Sequence, residues 1–110
     1  MKSLVVIPSR WQSSRFPGKP LELIGEKPMI QHVWERVSKS NADDIWIATD
    51  DQRIFDVAES FGAQVMMTTQ CDTGTERVIE VHQTINSDII VNVQGDEPFI
   101  NPKDINLVID

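Results

Sequence analysis

An α/β fold with a mainly parallel sheet is predicted by three observations. Leu4-Val5-Val6-Ile7 and Ile89-Ile90-Val91 are short, branched runs that are apolar on both faces, as strands covered by helices on either side require. Such runs alternate with stretches whose apolar residues recur at helical spacing. Polar or glycine-rich turns separate the two kinds of segment, which implies right-handed strand-helix-strand crossovers. The architecture expected is a Rossmann-like three-layer sandwich with ligands bound at the carboxyl ends of its strands.

After the first strand comes a basic loop, then a brief apolar segment from Leu21 to Gly25. Pro28 suits the first position of a helix, and Met29, Ile30, Val33, Trp34 and Val37 give residues 29–39 one buried stripe. Asp44-Ile45-Trp46-Ile47-Ala48-Thr49 is a second strand. Asp50 or Asp51 caps the next helix, whose stripe is Ile54, Val57, Ala58 and Phe61, and Gly62 closes it. Residues 64–68 form a third strand. A third helix starts near Thr75, with Val78, Ile79, His82 and Ile85 inward. Residues 88–93 form a fourth strand, and a last helix starts near Pro102.

The 110 residues suit a single domain with a real core. No apolar run approaches a membrane span and no secretory leader is evident, so no membrane association is expected. The single cysteine, Cys71, excludes an internal disulfide and fits a reducing cytoplasm, where it reads as a neutral loop thiol. Ten Lys and Arg face seventeen Asp and Glu, for a net charge of −7. No acid precedes Glu22, whereas Lys2, Arg10, Arg15 and Lys19 do. Local positive charge in an acidic protein points to a small anionic ligand and away from a nucleic-acid track, which the acidic remainder would repel.

That charge lies in Pro8-Ser9-Arg10-Trp11-Gln12-Ser13-Ser14-Arg15-Phe16-Pro17-Gly18-Lys19-Pro20. A dinucleotide fingerprint would place Gly-x-Gly-x-x-Gly after the first strand, and a Walker loop would follow Gly-Lys with Ser or Thr. Neither is present, so the loop must grip its anion mainly with side chains. Arg10 and Arg15 offer planar forks suited to phosphate oxygens, and Lys19 is a compact charge on a flexible stem, able to follow a leaving group. Gln94-Gly95-Asp96-Glu97-Pro98 follows the fourth strand and can face the same crevice. Asp96 there is a candidate Mg²⁺ ligand, since Mg²⁺ commonly takes one or two carboxylates plus substrate phosphates. Glu97 can equally shape the turn before Pro98. Asp72-Thr73-Gly74-Thr75-Glu76-Arg77 can meet a nucleotide or simply cap a helix. His32 and His82 lack partners at ligand spacing and read as packing residues, as do Trp34 and Trp46, while Trp11 stands apart in the basic loop.

These segments resemble the family of 3-deoxy-manno-octulosonate (Kdo) cytidylyltransferases, or CMP-Kdo synthetases. The matching pieces are residues 6–21, 27–33, 48–51 (Ala-Thr-Asp-Asp), 74–77 (Gly-Thr-Glu-Arg) and 91–98 (Val-Asn-Val-Gln-Gly-Asp-Glu-Pro), in family order. The resemblance implies a nucleotide-diphospho-sugar transferase type of sandwich. It implies transfer of CMP from CTP to Kdo, giving CMP-Kdo and pyrophosphate for lipopolysaccharide synthesis in the cytoplasm. Arg10, Arg15 and Lys19 would hold the triphosphate, with Arg10 and Lys19 catalytic, and Asp96 would bind Mg²⁺. Arg77 would help read the cytidine, Gln94 would touch nucleotide or sugar acid, and Ser9 would approach the base through its backbone. A homodimeric parent enzyme is implied as well. Phe16 stands where Leu is common, and Asp72-Thr73 where a Ser often precedes the Gly.

The resemblance covers only the amino-terminal half of the family's length, so residues 1–110 are read as the CTP-binding half of one nucleotidyltransferase domain. As a truncated domain it is expected to be an incomplete catalyst, and to expose apolar surface. Three alternatives stand beside this reading: a transferase for the 8-amino sugar acid, a non-catalytic nucleotide-binding module, and an unrelated guanylyl or adenylyl transferase.

Overall fold

The computed structural model describes residues 2–11, 18–68, 79–81, 85, 87–93 and 100–109. Four strands, β1 (Ser3–Pro8), β4 (Asp44–Thr49), β5 (Val65–Met67) and β6 (Ile89–Asn92), form one sheet in the order β5-β4-β1-β6. Every pairing in it is parallel, with Val6 opposite both Trp46 and Asn92. The sequence runs outward from β1 to β5 and then returns to the other side of β1. The order therefore reverses between β1 and β6, which opens a crevice at their carboxyl ends.

Among the described residues, helices α1 (Met29–Ser38), α2 (Gln52–Ser60) and α3 (Pro102–Ile109) accompany the sheet. Alternation along β1 assigns its side chains to two cores. Val5 and Ile7 join Ile30, Val33 and Val37 of α1, Ala58 of α2 and Ile105 of α3, while Leu4 and Val6 join Val81 on the opposite face. All six residues of β1 are buried, which accounts for its unbroken apolar run. Removing a side chain such as Ile47, fully buried in the centre of β4, is expected to cost about 2–5 kcal/mol.

Asp51 is the residue that caps α2: its carboxylate accepts from the backbone N–H of Arg53 and of Ile54. Gly62, at φ 88°, closes the same helix. Two expectations need correction. Pro28 precedes α1 in extended conformation and pairs, in β3 (Lys27–Pro28), with β2 (Leu23–Ile24) as a small antiparallel hairpin. His32 fastens α1 to that hairpin, its Nε2 lying 2.7 Å from the Ile24 carbonyl oxygen. Ile79 is 53 % exposed, and Val81 takes the inward place instead. Residues 79–81 are helical, and two positions along a helix turn by about 200°, so Ile79 and Val81 cannot both face the sheet. Ile85, one turn beyond Val81 and donating its N–H to the Val81 carbonyl, packs on the same cluster.

Other exposed apolar side chains are Leu23, Met67 and, adjacent on α3, Leu107 and Val108, at 79 % and 60 %. Among the described residues no helix is long and apolar enough to cross a membrane.

Candidate functional site

The carboxyl end of β1 delivers Ser9 and Arg10 to the crevice. The Ser9 N–H donates to the Ala48 carbonyl at 2.9 Å, extending the β1–β4 ladder past the last strand residue. Its hydroxyl is buried and has no hydrogen-bond partner among the described residues, a state that costs roughly 1–3 kcal/mol unless another group is met. Arg10 is half-buried. On the far side of the crevice the Val93 N–H donates to the Val6 carbonyl, and the chain continues into the segment bearing Gln94 and Asp96.

Trp11 and Gly18 mark the two ends of the basic loop. The Gly18 N–H donates to the Trp11 carbonyl at 2.7 Å, which fixes these two residues against each other. Gly18 has φ 76°, in the left-handed region, and a Cβ built on it would lie 2.6 Å from Trp11 Cη2. Both facts demand glycine. Lys19 follows at once as the first residue of a 3-10 turn, Lys19–Leu21, which packs against α1 and α2. Arg10 and Lys19 are thereby set just outside the two anchors of one loop.

A third element reaches this loop. The guanidinium of Arg53, in the first turn of α2, lies 3.3 Å above the centre of the Trp11 ring. The same guanidinium grips Asp51 with Nε at 3.1 Å from one carboxylate oxygen and Nη2 at 2.8 Å from the other. That bond holds the Asp51 carboxyl below its usual range and raises Arg53 above its own. Asp51 is expected as a possible cap and lies in the Ala-Thr-Asp-Asp match, whereas no local pattern singles out Arg53. The available signal was topological: β4 lies beside β1, so the start of α2 must emerge beside the loop that follows β1.

Of the residues expected to form the site, Ser9, Arg10 and Lys19 stand at this end of the sheet. Arg15, Arg77, Gln94 and Asp96 lie outside the described residues, as do His82 and Cys71. Among the described residues no group of three or more His, Cys, Asp or Glu is arranged to hold a metal. A cleft of about 250 Å³, lined by Trp34, Ser38, Asp43, Ile45, Gly62 and Gln64, opens at the other end of the sheet. Asp43 and Gln64 immediately precede β4 and β5, so this cleft is at the amino ends, away from the cations.

The sequence pattern of the cytidylyltransferase family matches residues 4–110. A 3-deoxy-manno-octulosonate cytidylyltransferase of Cellvibrio japonicus is 55 % identical over 98 % of this chain and 44 % of its own length. The Escherichia coli protein of the same name is 44 % identical over 98 % of this chain and 45 % of its own. A solved CMP:2-keto-3-deoxy-manno-octonic acid synthetase complexed with CTP has a TM-score of 0.96 at 44 % identity, covering 99 % of this chain and 46 % of that one. The present chain thus spans a little under half the length of the curated relatives it matches. A sheet reversing beside a pinned basic loop and a family match along nearly the whole sequence lead to one assignment: the chain belongs to the cytidylyltransferase family.

Proposed function

We propose that this chain supplies the CTP-binding half of a 3-deoxy-manno-octulosonate cytidylyltransferase, which transfers CMP from CTP to Kdo and releases pyrophosphate. The observation that carries the reading is the basic loop closed by the Trp11–Gly18 bond at the carboxyl end of β1, with Arg10 and Lys19 at its two ends. In the reaction, the anomeric hydroxyl of the sugar acid attacks the α-phosphorus of CTP in line. The bond from the α-phosphorus to the bridging oxygen breaks, the electron pair leaves with pyrophosphate, and the hydroxyl proton passes to solvent. Such transfer asks the protein for positioning and charge neutralisation.

Arg10 and Arg15 hold phosphate oxygens, and Lys19 follows the charge onto the departing pyrophosphate. Arg77 reads the cytidine, Gln94 touches nucleotide or sugar acid, and Ser9 meets the base through its backbone. Asp96 follows Val93, which is bonded to β1, and one carboxylate with triphosphate oxygens is a donor set that fits Mg²⁺. The ion would neutralise phosphate charge when bound. The parent enzyme is read as a cytoplasmic homodimer making CMP-Kdo for lipopolysaccharide synthesis.

Calorimetric titration with CTP, GTP and ATP, with and without Mg²⁺, tests the reading. CTP is expected to bind best, and Asp96→Ala to abolish the magnesium dependence. Preference for GTP or ATP would move the chain to another nucleotidyltransferase class, and tight CTP binding indifferent to metal would favour a non-catalytic nucleotide-binding module.

A further inference from the structure

Arg53 has no part in the proposed transfer, yet it joins the cap of α2 to one anchor of the basic loop. Its guanidinium lies 3.3 Å above the centre of the Trp11 ring and is fixed from the side by the Asp51 carboxylate at 2.8 and 3.1 Å. Asp51 is itself immobilised as the cap of α2, accepting from two backbone N–H groups. Trp11 in turn presses on Gly18, where even a methyl group would meet the outer carbons of the indole at 2.6–2.9 Å. The result is a chain of contacts from a rigid helix terminus, through a cation and an aromatic ring, to both anchors of the basic loop. An exposed arginine oriented by a carboxylate and laid over a half-buried tryptophan loses side-chain freedom, which needs a compensating gain.

We propose that Arg53 is a positioning residue for the triphosphate. By holding the Trp11 indole against Gly18, it keeps the two anchors of the basic loop, and with them the neighbouring Arg10 and Lys19, in place before the nucleotide arrives. Preorganisation of this kind raises affinity by removing the ordering cost from the binding step. The inference rests on the reading of the loop as a triphosphate grip. The stack requires the flat guanidinium, not merely a positive charge, because a compact ammonium neither covers the ring nor makes the two-pronged bond to Asp51. It also requires the aromatic partner, so residues 11 and 53 must act as one unit.

The test is a double-mutant cycle on the full chain with Trp11→Leu and Arg53→Lys, measuring Kd for CTP and for CMP in Mg²⁺. CMP lacks the β- and γ-phosphates, so it reports on folding, the base pocket and the α-phosphate contacts without the rest of the triphosphate. Each single variant is expected to weaken CTP roughly three- to tenfold while leaving CMP within about twofold. The double variant is expected to be no worse than the weaker single, since the interaction can be lost only once. An Arg53→Lys protein that binds CTP as tightly as the parent would overturn the inference. So would multiplying effects, or equal losses for CTP and CMP. Failure of the parent chain to prefer CTP over CMP would instead overturn the triphosphate reading beneath it, and the inference with it.

Discussion

The two ends of β1 are built from opposite chemistry. At the amino end, carboxylates meet donors of the same chain. The Lys2 N–H bonds Asp88, the Ser3 N–H and hydroxyl bond Asp43, and the Lys2 ammonium pairs with Asp44 at 3.0 Å. These contacts tie β1 to the starts of β4 and β6, which are its neighbours in the sheet. At the carboxyl end, three cations, Arg10, Lys19 and Arg53, gather with Trp11 around a loop whose anchors, Trp11 and Gly18, are bonded to each other, and the Asp51 carboxylate pairs with Arg53. Ser87, before β6, and Ser9, after β1, each bury a hydroxyl without a partner among the described residues, so orphan polarity alone does not separate the ends. Charge sign and loop architecture do. One end closes the sheet, and the other leaves a cationic crevice where the strand order reverses.

If the ends divide the work in this way, substitutions should separate binding from stability. The largest effect is expected from Lys19→Met, which should weaken CTP by about 10- to 100-fold, the worth of a hydrogen bond to a charged group. Thermal unfolding should hardly move, since Lys19 is only half-buried. Gly18→Ala comes next. Left-handed backbone costs an alanine about 1–2 kcal/mol, and the new methyl must displace Trp11. Both the melting temperature and CTP affinity should fall, which would show that the loop anchors serve the two functions at once.

Asp51→Ala should destabilise by about 1 kcal/mol, the usual worth of a helix cap, measured by urea unfolding. Because Arg53 loses its brace, a modest loss of CTP affinity should accompany it. Asp43→Asn is the sharpest contrast: a small fall in melting temperature with no change in CTP binding. An effect of Asp43→Asn on CTP affinity would blur the division.

Acid probes both ends together. Asp43 is held below the ordinary carboxylate value chiefly by the Ser3 N–H, and Asp51 chiefly by the Arg53 guanidinium. A carboxylate whose folded pKa is depressed contributes stability that is full above its unfolded value, about 3.9, and is lost as pH falls through the lower folded value. Melting temperature should therefore fall below roughly pH 4. Part of that slope should vanish in Asp51→Asn and part in Asp43→Asn.

How much of this was legible in the sequence depended on the range of the interaction. The runs Leu4-Val5-Val6-Ile7 and Asp44-Ile45-Trp46-Ile47 carry their own burial, so β1 and β4 were read within a residue of their bounds. An aspartate before an apolar stripe announced the cap of α2 as Asp50 or Asp51, and the structure uses Asp51. The hairpin of β2 and β3 was missed because two-residue strands have no periodicity to read. Ile79 was turned inward because its helix phase depends on which residues the sheet face accepts, and that choice fell on Val81 and Ile85. The placement of Ser9, Arg10 and Lys19 at the carboxyl end of the sheet was legible, because these positions follow a strand or a glycine in a basic run. The Arg53–Trp11 stack was not, since no local pattern links positions so far apart in sequence. Their proximity comes from β1 and β4 lying side by side.

The division between the ends can be tested directly by following the backbone amides of the chain by nuclear magnetic resonance during titration with CTP and Mg²⁺. Shifts are expected at Ser9 to Trp11, Gly18 to Leu21 and Thr49 to Arg53, with Ser3, Asp43, Asp44 and Asp88 unmoved. Shifts centred on the cleft lined by Trp34, Ser38 and Asp43 would contradict it.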